Sequence, residues 1–241
     1  MAFVAWFNEL TKADVKIAGG KGAQLGEMFN AGFPVPTGFV ITADAYSEFL
    51  NKTNLRGKIF KILRETNVDD SKALSEASDK IRKMIIETKM PDEIHAAIIE
   101  SYEQLCKKLN KKEEFVAIRS SATAEDLPNA SFAGQQESYL NIKGADSVAE
   151  YVQKCWASLF TPRAIFYREK HGFDHSKVNI AVIVQKMIDS EKAGVIFTIH
   201  PATGERDKIV IESTFGLGES VVSGATTPDR FVVWKATKEV V

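Results

Sequence analysis

The chain has 241 residues, of which 44% are hydrophobic and 26% charged, so it is an ordinary globular sequence long enough to bury a substantial core. Its 31 basic and 32 acidic residues give a net charge of -1, which excludes nucleic-acid binding through bulk charge and leaves anionic ligands to a local site. The two cysteines, Cys106 and Cys155, offer neither a disulfide framework nor zinc-ligand spacing, and we expect buried free thiols in a reducing cytoplasm.

No stretch of the sequence has the character of a membrane segment. The first residues carry no basic leader and no long apolar core. The most apolar run, residues 178–188, is too short to cross a bilayer and contains Gln185 and Lys186. We therefore expect a soluble cytoplasmic protein without a membrane partner.

The N-terminal region combines a short strand with a glycine-rich segment. Residues 3–10 predict an opening strand and turn. Residues 17–26, IAGGKGAQLG, predict a turn that leads into an amphipathic helix. The helix is expected to direct Leu25, Met28 and Phe29 inward.

Lys21 lies inside this glycine-rich segment. Backbone N–H groups at a helix N-terminus with a lysine beside them suit a phosphate, although a surface lysine is the alternative from the sequence alone. The segment is not a Walker A loop, because Gly22 replaces the Ser or Thr after the lysine. Nor is it a Rossmann fingerprint, because Leu25 occupies the third glycine position.

The next part of the chain is predicted to be scaffold. Residues 39–41 form a short strand, and Thr42 caps the helix that follows. Residues 52–112 are helical in pattern, and Pro91 stands at the first turn of the last helix in this region.

Arg119 is the main candidate ligand-binding residue of the next segment. Residues 115–118, FVAI, predict a buried strand, and Arg119 stands at its mouth before a loop rich in hydroxyls and acidic residues. The chain returns as a second strand over residues 137–142. An always-charged guanidinium there could anchor an anion such as phosphate. The alternative is an ion pair with Glu125 or Asp126 that only fastens the loop.

The C-terminal half begins with helices and continues with strands. Residues 146–160 predict a helix, and Thr161 caps a second one on which Arg163 and Arg168 are interpreted as solvated. Strands are predicted over residues 179–187, 193–198, 208–212 and 230–234, and the later ones suggest an antiparallel sheet. Gln185 and Lys186 are unusual at the end of an apolar strand. They are candidates for a hinge that holds a flat base, or they are simply exposed at a strand end.

Several motifs together resemble one known family. They are RSSATAEDLP at 119–128, SFAGQQ at 131–136, GGKGAQLGEM at 19–28, VQKM at 184–187 and GLGE at 216–219. The set is similar to the N-terminal nucleotide-binding domain of the phosphoenolpyruvate synthase family, which is related to pyruvate phosphate dikinase and rifampin phosphotransferase. The region from about residue 52 to residue 112 carries little of the resemblance.

The resemblance implies an α/β (α+β) fold of the ATP-grasp type, in which two lobes clamp ATP. We expect residues 1–180 to form a first, mixed lobe with a helical insertion at about 52–112. Residues 181–241 would form a second, mainly antiparallel lobe that is incomplete because the chain is truncated at its C-terminus.

The resemblance also implies a set of nucleotide-binding residues. They are Lys21, Arg119, Gly134, Ser138, Gln185, Met187 and Glu219. The two cations would bind the phosphates, Gly134 would let the backbone approach them, and Ser138 would keep a hydroxyl there. Gln185 and the backbone near Met187 would contact the adenine, and Glu219 would help organise the site. The loop 122–136 is expected to close over the phosphates.

The implied activity is ATP- and Mg²⁺-dependent. In this family the β-phosphoryl group of ATP passes to a histidine and then to pyruvate, so ATP and pyruvate are the expected ligands. The phosphohistidine domain would lie in the same polypeptide outside this chain. His95 is interpreted as a coincidence, since Asp92, Glu93 and Ile94 lack the family's pattern before that histidine. The alternatives are a relative with another acceptor or a free-standing nucleotide-binding module.

Overall fold

A computed structural model describes residues 2–123 and 138–240. The chain divides into two compact units, Met1–Met187 and Ile188–Val241. The division comes later than the predicted boundary at 180/181, because the strand that starts at Ile180 is built into the first unit.

Among the described residues of the first unit, five strands form one antiparallel sheet in the order β1-β2-β5-β3-β4. The strands are β1 (Val4–Trp6), β2 (Gly38–Ile41), β3 (Val116–Ala122), β4 (Ser138–Ile142) and β5 (Ile180–Lys186). β5 is the central strand and is buried from Ile180 to Gln185, as a continuous apolar run predicts for a strand covered on both faces.

Seven helices surround this sheet in the described part of the first unit. They are α1 (Val15–Asn30), α2 (Ala43–Lys52), α3 (Leu55–Glu65), α4 (Ser71–Glu87), α5 (Asp92–Lys108), α6 (Ala145–Ala157) and α7 (Pro162–Lys170). The predicted caps are confirmed: the Thr42 hydroxyl accepts from the Ala45 N–H, and the Thr161 hydroxyl accepts from the Ala164 N–H.

The two faces of the first sheet have different cores. One face carries Ile118, Val182 and Val184, which pack in a large cluster with α2 to α7. The other face carries Val40, Ala181 and Ile183, which pack in a smaller cluster with Ala18 of α1. Alternation along each strand assigns every residue to one of these faces. We call the second one the α1 face.

The second unit is a three-stranded antiparallel sheet with one short helix in the part of the chain that is described. Its elements are β6 (Lys192–Phe197), β7 (Lys208–Phe215), α8 (Glu219–Val222) and β8 (Asp229–Trp234). The predicted strands and their antiparallel pairing are confirmed. Together the two units confirm the α/β class.

Two predictions about individual side chains are wrong. Met28 is 39% exposed rather than inward, although Leu25 and Phe29 of the same helix do pack against the smaller core. Arg168 is 1% exposed rather than solvated. Its Nε–H donates to Nδ1 of His175 at 3.0 Å, while Nη1 and Nη2 have no hydrogen-bond partner among the described residues.

Both cysteines are buried thiols, as predicted. Within residues 2–123 and 138–240, no helix is both long enough and apolar enough to cross a membrane.

Candidate functional site

The glycine-rich segment forms a break inside α1 rather than a turn ahead of it. α1 begins at Val15, but Gly19 has φ 68° and ψ 170°, which no helical residue adopts. The N–H of Gly22 donates to the hydroxyl oxygen of buried Ser121, at 3.0 Å. A helical turn therefore restarts next to Lys21, whose side chain is exposed. Backbone N–H groups at such a start favour an anion.

Arg119 lies in the middle of β3, not at the mouth of a strand. β3 continues through Ser120, Ser121 and Ala122, all of them buried, so the predicted loop starts later than expected. Within β3, Arg119 is directly opposite Ile183 of β5 and Ser138 of β4. Because Ile183 belongs to the α1 face, the half-buried Arg119 side chain lies on that face too.

The Arg119 guanidinium has no ion pair or hydrogen bond to a residue in the two described ranges. Glu125 and Asp126, the partners of the alternative interpretation, lie outside those ranges. The structure therefore places the cation on the face that also carries α1, and leaves the two interpretations of its role open.

Ser138 is exposed and lies across from Arg119 on the neighbouring strand. Residues directly opposite each other in an antiparallel pair have Cβ atoms about 5 Å apart and share a face. The register shifts farther along this pair, where Asn141 has a φ of 59°. Asparagine tolerates that left-handed conformation better than most residues, and a local bulge of this kind redirects a strand.

Gln185 is 8% exposed, so simple exposure at a strand end is excluded. It is opposite Gly38 on β2 and Ala117 on β3, which places it on the α1 face as well. Its Nε2 donates to the carbonyl of Pro36 at 3.0 Å. The amide is held by this bond with its oxygen left to accept from another group.

Met187 follows β5 immediately and is half-buried. Its N–H donates to the carbonyl of Phe115 at 2.9 Å, and the N–H of Lys186 donates to Thr37 at 3.0 Å. The Met187 sulfur accepts from the N–H of Asn141, 3.0 Å away. The backbone group of Met187 that is left for a ligand is therefore its carbonyl, which can only accept.

Of the remaining predicted site residues, one lies in the second unit and one outside the described ranges. Glu219 is the exposed first residue of α8 in the second unit. Gly134 and nearly all of the predicted loop 122–136 lie outside the described residues. Only Ala122, which closes β3, and Thr123, whose hydroxyl donates to the Asn179 carbonyl at 3.1 Å, are described.

The structure thus aligns three groups along one face of the first sheet. The restarted turn of α1 lies on Ser121 of β3. Two residues along β3 is Arg119, with Ser138 of β4 opposite it, and two residues farther is Ala117, with Gln185 of β5 opposite it. Each two-residue step along a strand covers about 6–7 Å. The α1 face therefore has cations at one end, Lys21 and Arg119, and a hydrogen-bonding amide at the other, Gln185. This arrangement suits an elongated anionic ligand with a flat polar group.

Ser121 was quoted from the sequence without a role, and its contact with Gly22 was missed. The sequence did hold a signal for this contact. One face of β3 carries a cation and then a small hydroxyl residue, and glycines that could approach it closely occur elsewhere in the chain. The distance of 99 positions between the two partners puts their contact beyond any local pattern.

No group of three or more His, Cys, Asp and Glu side chains within the described ranges could hold a metal ion. His95 lies on α5, and its Nε2 is 4.0 Å from Asp146 Oδ1.

The fold is that of an α/β protein, and comparison with known proteins identifies its family as a nucleotide-binding one. Residues 15–241 match the model of the pyruvate phosphate dikinase AMP/ATP-binding domain. The chain belongs to this family.

Similar proteins include three from archaea. The chain is 59% identical, over its whole length, to a probable phosphoenolpyruvate synthase of Methanocaldococcus jannaschii, and covers 20% of that protein. It is 57% identical to a probable phosphoenolpyruvate synthase of Methanothermobacter thermautotrophicus, with 98% of this chain and 34% of that protein covered. With the phosphoenolpyruvate synthase of Pyrococcus furiosus, identity is 49%, with 98% of this chain and 33% of that protein covered. The chain thus spans between a fifth and about a third of these relatives.

Proposed function

We propose that this chain is the ATP-binding part of a phosphoenolpyruvate synthase, which converts ATP, pyruvate and water to AMP, phosphoenolpyruvate and phosphate. The observation that carries the proposal is identity of 59% over the entire chain with a protein of that name. The alignment of Lys21, Arg119 and Gln185 along the α1 face supports it, because a nucleoside triphosphate has both the charge and the elongated shape that this face fits.

Lys21 and Arg119 bind the phosphates in this proposal. Both stand next to the part of the sheet where α1 restarts, so their charges and the backbone N–H groups at that start act on the same end of the ligand. Cations and oriented N–H groups stabilise the charge that develops as the phosphoryl group leaves, without doing covalent chemistry themselves. Ser138 adds a hydroxyl opposite Arg119.

The adenine is proposed to lie at the Gln185 end. Two acceptors are available there, the amide oxygen of Gln185 and the carbonyl of Met187, while the nearby backbone donors of Lys186 and Met187 are already used. Acceptors match the exocyclic amino group of adenine and reject the carbonyl that guanine has in its place. Gly134 and Glu219 remain proposals from the family resemblance, for the phosphates and for organising the site.

Mg²⁺ is proposed as the counter-ion that enters with ATP. The described residues do not include a donor cluster for it, and no step is derived through the metal. The phosphohistidine and the pyruvate site are proposed to lie in other domains of the same polypeptide, in the cytoplasm. Neither His95 nor any other residue of this chain carries the phosphoryl group.

The test is an assay of the intact gene product with ATP, Mg²⁺ and pyruvate, which measures AMP and phosphoenolpyruvate. We expect one phosphoenolpyruvate for each AMP and no turnover by residues 1–241 alone. Phosphoryl labelling of His95, or turnover by residues 1–241 alone, would contradict the assignment.

Relatives with another acceptor are the second candidate, since the matching family is described by pyruvate phosphate dikinase rather than by the synthase. Rifampin in place of pyruvate tests the acceptor. ATP binding without AMP formation from any acceptor would instead favour a free-standing nucleotide-binding module.

A further inference from the structure

The turn at which α1 restarts after Gly19 packs on the side chain of Ser121. Ser121 is fully buried, on the same face of β3 as Arg119 and opposite Ala181 of β5. Its hydroxyl oxygen accepts the N–H of Gly22 at 3.0 Å. A serine hydroxyl here does for the helix start what a capping residue does elsewhere, although it comes from a strand 99 positions away.

Close packing restricts the glycines on both sides of Lys21, and at Gly19 the restricting neighbour is Ser121. A Cβ at Gly19 would lie 2.2 Å from the Ser121 carbonyl oxygen and 2.3 Å from its hydroxyl oxygen. A Cβ at Gly22 would lie 3.1 Å from the Ala18 Cβ, 3.3 Å from the Val40 Cγ2 and 3.7 Å from the Ser121 hydroxyl oxygen. At Gly19 the turn therefore lies closer to β3 than a residue with a Cβ allows, and Ser121 is its nearest neighbour there.

The same contact fixes where Lys21 starts relative to Arg119. Lys21 is between Gly20 and Gly22, and Arg119 is two residues from Ser121 on the same face of the same strand, about 6–7 Å away. A strand held on both sides by β4 and β5 is a rigid base for such a constellation.

We propose that Ser121 is a positioning residue for phosphate binding: its hydroxyl holds the Gly20–Gly22 turn so that Lys21 and the backbone N–H groups act together with Arg119 on one phosphate chain. The inference rests on the proposed function, because it assumes that this end of the α1 face binds the phosphates of ATP. Ser121 itself does not touch the ligand.

The chain offers a matched control in Ser120. It is the neighbouring residue, is 3% exposed, and lies on the opposite face of β3 toward the larger core. Ser120→Ala and Ser121→Ala therefore remove the same atom from the same strand at nearly the same depth, but only the second removes the acceptor for Gly22.

The experiment is a double-mutant cycle on ATP affinity, measured by titration calorimetry with Mg²⁺ on the intact gene product. Ser121→Ala is expected to weaken ATP binding roughly 5- to 10-fold, as the loss of one buried hydrogen bond predicts. In a Lys21→Ala background the same change should cost no more than about 2- to 3-fold, because the turn that it holds no longer carries the cation. Ser120→Ala should leave affinity within about twofold in either background.

Thermal unfolding of each variant accompanies the titration. If Ser121→Ala does not fold, Ser121→Cys replaces it, since cysteine has a similar shape but is a weak acceptor. Wild-type affinity in the Ser121 variant, or equal losses in the two backgrounds, would overturn the positioning role and leave the ATP site intact. A wild-type protein that binds no ATP would overturn the proposed function and the inference with it.

Discussion

Arg119 tests the phosphate proposal at the scale of one residue. Arg119→Ala in the intact gene product should lower kcat/KM for ATP by at least about 100-fold, because in the proposal this half-buried cation faces the transferred phosphate. Arg119→Lys should still lose about 10-fold, since a point charge does not reproduce the bidentate fork. Steady-state rates measure the effect, and thermal unfolding of each variant should stay close to that of the wild type.

Arg163→Ala is the control for charge alone, because this arginine is exposed on α7, among the helices that cover the opposite face of the sheet. A large loss of thermal stability by Arg119→Ala with full activity of the folded fraction would instead support the ion pair with Glu125 or Asp126.

The side chains of Arg168 and His175 are joined by a hydrogen bond that no sequence pattern predicted. Burial lowers the pKa of Arg168 to about 10, which still leaves the guanidinium charged at neutral pH. Burial raises the pKa of nearby Tyr46, so its hydroxyl is neutral. His175 must also be neutral, because its Nδ1 accepts from Arg168 Nε–H. Burial and, secondly, the charge of Arg168 lower the pKa of His175, while Glu169 and Asp174 oppose that shift.

A pH dependence follows from the direction of this shift. The unfolded chain binds a proton at His175 near pH 6.5, whereas the folded chain resists it until a lower pH. The contribution to stability is therefore fully present above about pH 6.5 and is lost as pH falls from there through the folded pKa. Melting temperatures between pH 7.5 and 5.5 should fall more steeply for the wild type than for His175→Gln.

His171→Gln is the matched control, because His171 is exposed, its Nδ1 lies 2.8 Å from the backbone oxygen of Tyr167 and its ring stacks on that of Tyr167. Its pH profile should follow the wild type. Parallel profiles for wild type and His175→Gln would contradict the neutral-histidine contact.

At the scale of elements, periodicity predicted most helices and strands correctly and failed where small polar residues are buried. Ser120 and Ser121 follow an apolar run, so the sequence suggested that β3 ends before them. Both are buried in the strand, and for Ser121 the cost is offset by its bond with Gly22. Arg168 was missed for a similar reason: its partner His175 lies beyond the end of α7, where no helical spacing could indicate it.

The candidate site was predictable in its residue types but not in its arrangement. Local patterns made Lys21, Arg119 and Gln185 candidates, and the family resemblance gave each of them a role toward a nucleotide. Their common face depends on the strand order β2-β5-β3 and on its register. Both are set by pairing between segments far apart in the sequence, such as Gly38 with Gln185 and Ala117 with Gln185.

The break in α1 at Gly19 leads to a prediction about the free energy of unfolding. Gly19→Ala would combine a positive φ of 68° with a Cβ 2.2 Å from the Ser121 carbonyl oxygen, and should cost at least about 3 kcal/mol in urea unfolding. Gly32→Ala is the control: it has a positive φ of 80° but nothing within 4 Å of its Cβ, so only the conformational cost of about 1 kcal/mol remains. Equal losses would show that close packing on Ser121 contributes nothing.

At the scale of the whole chain, the two units differ in how much apolar surface they bury. Both hydrophobic clusters belong to the first unit. In the described part of the second unit, Val210 alone is fully buried, while Ile196 is 62% and Phe215 77% exposed. Buried apolar surface is the main term that offsets the entropy of ordering a chain, so the second unit should be the less stable one.

Hydrogen exchange on residues 1–241 can test this difference with two matched strands. β5 and β7 are each the central strand of their sheet and are hydrogen-bonded on both sides, so backbone pairing is equal. β5 is buried along nearly its whole length, whereas β7 buries only Val210. The amides of β7 should therefore exchange at least about 100-fold faster than those of β5, which corresponds to about 3 kcal/mol less protection. Similar rates in the two strands would mean that the second unit opens only when the first one does, and that its stability does not depend on its own buried surface.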